Sequence, residues 1–532
     1  MEVWGFQRRR RSGMIRVQHN PHPPGTDAAR THLTPLLLLL AILPAGATRD
    51  AGAAGLSIPN FGPELEALLA EFANRPVTPA LAFELERRLE TVLRSYGQKI
   101  IEVVYNAAAA EIDATSNRIG HDGEDYRRLV KPTRNQHVAT LFGTITLTRH
   151  AFRCTRRDAG EPCLMPAEMA LGLSHGTTPA FAEAATRSLA EAGATQAAVL
   201  ARLKDRHGVA MSAQRLRKLA ATRAAAVAEG QISRLADRVV ERLGQASARR
   251  GRHKPVLSVG RDGVTMRDYR HRFFACAGVA TLAVLDQRGQ RLGTVDLGCV
   301  PEPNQTTLSQ RWTAVIDAVL RRWEGPRPRL SYVTDAGDHE TKYDRDVLRP
   351  MRHPRTQAPL RWQRVVDFYH TMERIWKMAE VVFGADTRAG SAWAHRMGKL
   401  LKKPNGPFRV LHAAAALRTK WKLSKTRRAE FARAYNDIRQ RTKWMQYHEY
   451  ARHGLPLGSG VTEAACKTLV SQRLKRSGMR WTKAGAQVIL NLRAALLSGT
   501  WAAANRDVLA TMPQPKWLPP AVLPEPTLNI AA

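Results

Sequence analysis

A block of short apolar runs between residues 255 and 370 constrains the fold of this chain more than any other feature. The runs in PVLSVGRD, over Phe273–Leu285 and over Arg291–Val300 have the length and residue types of strands, and a DQRGQ turn joins the last two. A helical pattern follows over Thr307–Trp323, and two more strand-like runs, RLSYVTD and RWQRVVDFYH, come after it. The order β-β-β-α-β-β predicts an α/β domain built on one sheet.

Three acids lie at informative positions relative to these elements. Asp262 and Asp335 come where an apolar run stops, and ligands of open α/β sheets bind at such an edge. Glu463 begins a predicted helix that follows the glycine turn in GSGVTEAACK. Three converging carboxylates repel one another unless divalent cations lie between them, and Mg²⁺ prefers oxygen ligands. A two-metal site of this kind can activate a hydroxyl for in-line displacement at phosphorus.

Each of these acids also has a purely structural explanation. The dipeptide Asp262-Gly263 is a turn signal, and Asp335 precedes an Ala-Gly pair. Glu463 lies near a helix N-terminus, where the helix dipole favours a carboxylate, and can pair with Lys467. Other acids compete for the first two positions: Asp268, Asp338 and Glu340. The strand-end residues are preferred because a ligand needs a rigid base.

Four sequence strings together resemble a known group of enzymes. SVGRDG, YVTDAG, VVDFYH and GSGVTEAACKTLVSQRLKRSGMRW are similar to segments of bacterial insertion-sequence transposases related to the Kra-four and Lre-two families. The order of the three acids likewise resembles the ribonuclease-H-like core of DDE transposases and retroviral integrases. The resemblance covers roughly residues 62–501, and its most specific part is the block from GSG to MRW.

The resemblance implies a fold, a catalytic triad and a cofactor. It implies an α/β ribonuclease-H-like core with an all-α insertion, and Asp262, Asp335 and Glu463 as the DDE triad. It also implies two Mg²⁺ or Mn²⁺ ions per active site. Asp367 and His370 match a D(2)H motif that related transposases carry, where it supports the site or the positioning of a strand. A core or capping histidine is the alternative for His370.

The charge of the chain favours a nucleic-acid partner. The sequence has 82 Lys or Arg against 46 Asp or Glu, which gives a formal net charge of +36. Neutralising phosphates with such a surface releases counterions and drives DNA binding. The five cysteines form no CxxC pair, so neither a zinc finger nor a disulfide scaffold is indicated.

Two segments are candidates for DNA contact. Residues 195–223 have helix-turn-helix spacing, with a break at Gly208 and Ser212 as the N-cap of a second helix; a common αα corner is the alternative. The second helix carries Arg215, Arg217 and Lys218. A basic segment after Glu463 would follow the DNA backbone, and Trp481 can stack on an exposed base. Its predicted contact residues are Lys467, Arg473, Lys475, Arg476, Arg480 and Trp481.

These patterns predict a domain order. Residues 1–60 are expected to be a disordered leader or the result of a mis-assigned start, with an export signal as the alternative because QRRRR precedes the apolar run PLLLLLAILPAGA. Residues 61–246 are predicted to form a mainly helical DNA-binding region with a small β-hairpin, and 247–254 a basic linker. The catalytic core is assigned to 255–370 and 458–501, the all-α insertion to 371–457, and a Pro-rich tail to 502–532.

The sequence as a whole predicts a cytoplasmic, nucleoid-associated DNA transposase. It would cleave double-stranded DNA at the terminal inverted repeats of its element and transfer the 3′-hydroxyl into target DNA. Because two ends must be held together, a homo-oligomer is expected on DNA, and no membrane partner is. The alternatives are a ribonuclease-H-like nuclease or resolvase that does not join strands, and a catalytically dead helix-turn-helix DNA-binding protein.

Overall fold

The structure is a computed structural model that describes residues 62–73, 75, 78–156, 162–191, 193, 195–267, 274–477 and 479–518. The predicted leader, Asp268 and the end of the predicted tail lie outside these residues. The chain divides into two compact units after Leu89. In the first, helix α1 (Gly62–Ala73) pairs Glu71 with Arg88 from the start of helix α2 (Pro79–Ala114).

The second unit begins with a helical region that carries small sheets. Residues from Glu90 onward in α2 lie against the hairpin of β3 (Thr133–Thr140) and β4 (Gly143–Arg149), where Asn106 bonds to backbone atoms of Thr146 and Thr148. The small β-hairpin that the sequence predicts within residues 61–246 is confirmed by this pair of strands. A separate four-stranded sheet has the order β11-β1-β2-β5, formed by Lys516–Trp517, Arg118–His121, Glu124–Arg128 and Phe152–Cys154.

The helices that follow share a core with the C-terminal part of the chain. They are α3 (Pro166–Ala170), α4 (Pro179–Ala190), α5 (Gln196–His207), α6 (Ala213–Ala228) and α7 (Gln231–Ala248). Gly208 ends α5 with φ +66°, and the side chain of Ser212 caps α6 by accepting from the N–H of Arg215, as the sequence predicts. Buried residues of α4 to α6 form one apolar cluster with Leu469, Ile489 and Leu490.

The central sheet has five strands in the order β10-β9-β6-β7-β8. They are β6 (Val256–Arg267), β7 (Phe274–Leu285), β8 (Arg291–Cys299), β9 (Arg329–Thr334) and β10 (Trp362–Val366). The first three form an antiparallel meander, whereas β9 and β10 run parallel to β6. Helix α8 (Thr306–Arg322) connects β8 to β9, which confirms the predicted order β-β-β-α-β-β.

The two faces of β6 have different neighbours because side chains alternate along a strand. Leu257 and Val259 pack with α7 and α8. Val256 packs with the helical insertion on the other face. Gly260 and Asp262 belong by alternation to this second face, against which the helix that carries Glu463 also packs.

The insertion is all-α, as predicted. A short helix α9 (Asp338–Tyr343) and a π-helical turn (Asp344–Leu348) precede β10. The insertion then comprises α10 (Phe368–Phe383), α11 (Arg388–Leu401), α12 (Gly406–Lys420), α13 (Lys425–Arg441) and α14 (Tyr447–Arg452). After it come α15 (Gly460–Ala465), a π-helical turn (Cys466–Ser471), α16 (Gln472–Leu474), α17 (Lys483–Leu497) and α18 (Trp501–Ala510).

Three predicted boundaries differ from the structure. Strand β6 does not stop at Asp262 but continues to Arg267, because β7 remains paired with it along this length. Helix α7 extends to Ala248, into the predicted linker, and covers the sheet through apolar residues such as Leu235, Val239 and Leu243. The predicted tail begins with helix α18, which buries Trp501, Ala504 and Val508 at helical spacing.

Candidate active site

Three aspartates occupy neighbouring positions where the parallel pairing of β6, β9 and β10 stops. Strand β6 pairs with β9 through Gly260↔Val333, and the same offset carried two residues further aligns Asp262 with Asp335. The register of β9 with β10 ends at Thr334↔Val366, so the next pair is Asp335 and Asp367. Because neighbouring strands lie about 4.8 Å apart, the backbone brings these three carboxylates to one edge.

The helix that carries Glu463 packs directly on strand β6. A Cβ atom built on Gly260 would lie 1.9 Å from Thr462 Oγ1, so only glycine permits this close approach. Thr462 Oγ1 is also 2.8 Å from Thr281 Oγ1 on β7, which anchors the helix to two strands. One turn later, Cys466 Sγ donates to Asp262 Oδ2 at 3.5 Å. Glu463 thus lies on a helix whose neighbouring residues contact Gly260 and Asp262.

The turn before this helix is held by Asp367. One carboxylate oxygen of Asp367 accepts from the N–H of His370 and caps helix α10, and the other accepts from the N–H of Ser459. Ser459 Oγ in turn donates to Glu463 Oε1 at 2.7 Å. Asp367 therefore positions the start of α15.

His370 does not point its ring at the row of acids. Its Nδ1 lies 3.2 Å from Glu373 Oε2, and its Nε2 lies 3.1 Å from a guanidinium nitrogen of Arg374. Only its backbone N–H contacts Asp367. The cap of helix α10 is thus Asp367, and the ring of His370 contacts only Glu373 and Arg374 among the hydrogen-bond and ion-pair partners described.

The acids interact electrostatically. Burial raises the pKa of Asp262, and the negative charges of Asp335 and Glu463 raise it further, whereas hydrogen bonds from the N–H of Gly263 and from Cys466 lower it. Asp335 accepts a hydrogen bond from the N–H of Gly337 at 3.0 Å, across a turn in which Ala336 has φ +63°. Asp335 is half-buried and Glu463 is exposed, so the group is open to solvent on one side.

Glu340 is a fourth acid of this group. Its side chain is buried, and a Cβ atom on Gly337 would lie 2.6 Å from Glu340 Oε2, so the carboxylate lies against the turn after Asp335. Burial raises the pKa of Glu340, and Asp335 and Asp262 contribute to the shift. The sequence offered Glu340 only as a competitor for Asp335, whereas the structure places both near Asp262.

Arg261, the residue before Asp262 on β6, places a buried positive charge near these acids. Its guanidinium is buried, lies 4.2 Å from the centre of the Tyr343 ring and donates to Gln305 Oε1 at 2.9 Å. Its charge opposes the rise in the pKa of Glu340. Sequence reasoning missed Arg261 because it lies inside an apolar strand, where a charged residue gives no sign of its partners.

The insertion contributes a second cation, Arg441. Located at the end of α13, it donates to the backbone oxygen of Ala336 at 3.3 Å and pairs with Asp437. Burial lowers the pKa of Arg441, the charge of Arg374 lowers it further, and Asp335 and Asp338 oppose the shift. Arg441 thus contacts the turn that follows Asp335, although 106 positions separate the two residues in the sequence. No local motif marks such a residue.

The donor set suits a hard divalent cation. Among the described residues, no group of three or more His, Cys, Asp and Glu side chains is arranged so that it could hold a metal ion. Asp262, Asp335 and Glu463 nevertheless offer the carboxylate oxygens that Mg²⁺ and Mn²⁺ prefer. A cation between them would relieve the repulsion that raises the pKa of Asp262. The three carboxylates are therefore ligands of the type that such an ion prefers, but their arrangement in this structure does not form a metal site.

The candidate DNA-contact residues fall into two classes. Arg215 donates to the backbone oxygens of His137, His175 and Gly176, so its guanidinium holds the hairpin and the following loop. Arg473 is 1% exposed and donates to Leu189 O, and burial lowers its pKa to about 10. The prediction that Arg473 follows the DNA backbone is wrong for this conformation, because the apolar cluster covers it.

The other candidates lie at or near the surface. Arg217, Lys218, Lys467, Lys475, Arg476 and Arg480 are exposed, and Trp481 is half-buried with the guanidinium carbon of Arg473 5.2 Å from the centre of its ring. A cavity of about 530 Å³ separates α6 from the basic segment. Arg217, Arg480 and Trp481 are among its lining residues. The two predicted DNA-contact segments are thus neighbours.

Comparison with known proteins finds no protein-family model that matches the chain and no curated protein with significant sequence similarity. Within the described residues, no helix is both long and apolar enough to cross a membrane.

Proposed function

We propose that this chain is a DNA transposase that cleaves the ends of its element and joins the resulting 3′-hydroxyl to target DNA. The observation that carries the proposal is the register of Asp262 with Asp335 on neighbouring parallel strands, together with the packing of the Glu463 helix against Gly260. This arrangement supports the reading of the three acids as one site, because residues 73 and 128 positions apart meet at one sheet edge.

The topology supports a ribonuclease-H-like core. In order of appearance the five strands are arranged 3-2-1-4-5, with strands 4 and 5 parallel to strand 1. The acids lie on strand 1, after strand 4 and on a helix that follows the sheet. This is the order that the resemblance to DDE transposases implies.

The residues of the site would have three roles: metal binding, positioning of Glu463 and attraction of the phosphate. Asp262, Asp335 and Glu463 would hold Mg²⁺ or Mn²⁺, two ions in the proposed mechanism, and the bound metal would activate the attacking hydroxyl and stabilise the leaving oxygen. Asp367 and Ser459 keep Glu463 at the sheet edge. Arg441 places a positive charge near Asp335, where a phosphate would be attracted. Glu463 is exposed, so substrate can reach the site without unfolding of the core.

Further parts of the proposal concern partners. The partner is double-stranded DNA, as element ends and as target, in the cytoplasm at the nucleoid. A homo-oligomer would form on DNA to hold two ends together. The helix-turn-helix of α5 and α6 is proposed to read the terminal repeats through Arg217 and Lys218, both exposed.

The test is strand cleavage and joining of a labelled oligonucleotide that carries the inverted repeat flanking the gene. Wild type and Glu463→Gln are compared with Mg²⁺ or Mn²⁺, and binding is measured in parallel. Cleavage and joining by wild type alone, with equal binding, would support the proposal. Cleavage without joining would favour the nuclease or resolvase, and binding without cleavage the DNA-binding alternative. Equal activity of wild type and Glu463→Gln would show that Glu463 has no role in catalysis.

A further inference from the structure

The link between helices α12 and α13 is the most cationic exposed segment of the insertion. Between residues 387 and 429 the chain has twelve Lys or Arg and no Asp or Glu. Six of these cations lie in residues 418–428, RTKWKLSKTRR, where every residue except Leu423 is exposed. We call this segment the basic tip. The six cations of the basic tip are Arg418, Lys420, Lys422, Lys425, Arg427 and Arg428.

The positive charge of the basic tip is not neutralised within the protein. In the described part of the chain, none of these six cations forms an ion pair with a carboxylate. Like charges at this density repel each other, and a phosphate backbone is the polyanion that removes the repulsion. The segment therefore has a charge complementary to DNA that its own fold leaves unused.

The basic tip is anchored. Leu423 packs against the apolar core of the insertion, and Ser424 caps α13 by accepting from the N–H of Arg427. Trp421 is 44% exposed, with its ring centre 5.5 Å from that of Phe383. A fixed cationic surface with a partly exposed aromatic ring is typical of surfaces that contact nucleic acid.

Helix α13 connects the basic tip to the active site. It runs from Lys425 to Arg441, and Arg441 contacts the turn after Asp335. At 1.5 Å per residue this helix spans about 24 Å. A duplex that followed α13 from the acids would reach the basic tip after about 7 base pairs at 3.4 Å each. The tip is therefore within reach of DNA that occupies the site.

We propose that the basic tip binds the phosphate backbone of duplex DNA whose scissile phosphate lies at Asp262, Asp335 and Glu463. This inference rests on the proposed function for the position of the DNA. The binding is sequence-independent, because exposed Lys and Arg on a helical link contact phosphates rather than base edges. It supplies affinity and orientation at a second point, away from the helix-turn-helix.

The experiment measures affinity for a duplex of about 30 base pairs at several salt concentrations in EDTA. The tip variant carries Lys420→Gln, Lys422→Gln and Arg427→Gln. The matched control carries Arg252→Gln, Lys254→Gln and Arg288→Gln. These three exposed cations lie at the start of β6 and in the β7–β8 turn, at the end of the sheet opposite Asp262.

The expected result is a smaller salt dependence for the tip variant only. Each lost phosphate contact lowers the slope of log K against log salt by about 0.9, so the slope falls by up to about 2.7. Equal slopes for wild type and the tip variant, or the same loss in the control, would overturn the proposal.

Cleavage is scored separately with Mg²⁺. If the salt slopes of wild type and the tip variant differ as expected but wild type cuts no element end, the basic tip remains a DNA-binding surface and the proposed transposase activity is refuted. If wild type cleaves element ends but the two proteins have equal salt slopes, the proposed transposase activity stands and DNA binding by the basic tip is refuted. The two failures are thus distinguishable.

Discussion

Asp367 and Ser459 are joined by a hydrogen bond in which the backbone N–H of Ser459 donates to the Asp367 carboxylate. The bond connects the end of β10 to the turn that begins the Glu463 helix, across 92 positions of sequence. Because the other oxygen of Asp367 caps α10, one carboxylate fixes both the insertion and the third acid of the proposed triad. Asp367 is accordingly a positioning residue.

Asp367→Asn is expected to lower strand cleavage while the fold persists. Asparagine caps a helix as well as aspartate does, but its single acceptor oxygen cannot serve both His370 and Ser459. Loss of a hydrogen bond that orients a metal ligand typically lowers metal affinity or activity on the order of 10–100-fold. The measurement is cleavage against metal concentration, with Thr387→Ala, which removes the N-cap of α11, as the control. A variant whose metal dependence matches wild type would contradict this role.

Gly260→Ala is expected to displace the Glu463 helix. The new methyl group would lie 1.9 Å from Thr462 Oγ1 and 2.8 Å from Thr281 Oγ1, so one of the packed elements must shift. Such overpacking typically lowers the free energy of unfolding by about 1–3 kcal/mol. Cleavage should fall further than stability does, and the double variant with Thr462→Ala should recover part of both. Thermal unfolding and cleavage assays measure the two effects; no recovery would mean that the clash is not with Thr462.

Arg441→Gln is expected to slow cleavage more than it weakens DNA binding. The guanidinium lies beside the turn of Asp335, where it can stabilise charge that develops on a phosphate. Removal of one such donor costs on the order of 100-fold in rate. Arg439→Gln is the control, because Arg439 is exposed on the same helix. Equal rates for both variants would show that the position of Arg441 near Asp335 has no role in catalysis.

Arg215 and Arg217 are expected to affect different properties of the protein, although only Leu216 lies between them. Arg215→Gln removes hydrogen bonds to three backbone oxygens and should lower the free energy of unfolding by about 2–3 kcal/mol. Arg217→Gln should leave stability unchanged and reduce the salt slope of DNA binding by about 1. Denaturant unfolding and binding titrations test the pair. An Arg215 variant that unfolds like wild type would contradict the structural assignment.

The sequence was sufficient to predict the strands of the core and their order. Apolar runs near Pro255, Phe273, Arg291, Arg329 and Trp362 correspond to β6–β10, because a strand buried on both faces has few polar residues. The hairpin and the caps at Gly208 and Ser212 were also predictable, since turn and cap chemistry is local.

Non-local packing accounts for what the sequence did not predict. Strand β6 passes Asp262 because β7 continues to pair with it, and no residue of β6 signals the length of its partner. Arg473 has the same local pattern as its exposed neighbours Lys475 and Arg476, yet it is covered by the apolar cluster of the N-terminal helices. Arg441 and Glu340 join the site through contacts that only the folded chain creates.

Asp296, which is not one of the candidate site residues, is expected to make the free energy of unfolding depend on pH. Burial raises its pKa to about 6, against the opposing charges of Arg242 and Arg291, and within the described residues its Oδ1 has no hydrogen-bond partner. Because the folded-state pKa lies above the ordinary aspartate value of 3.8, the stability that this group contributes is fully present below about pH 4 and is lost as the pH rises through about 6. Asp296→Asn should therefore match wild type below pH 4 and exceed its free energy of unfolding above pH 6, by up to about 3 kcal/mol. Denaturant unfolding from pH 4 to 8 measures the difference, and a difference that does not change with pH would show that Asp296 is not the titrating group.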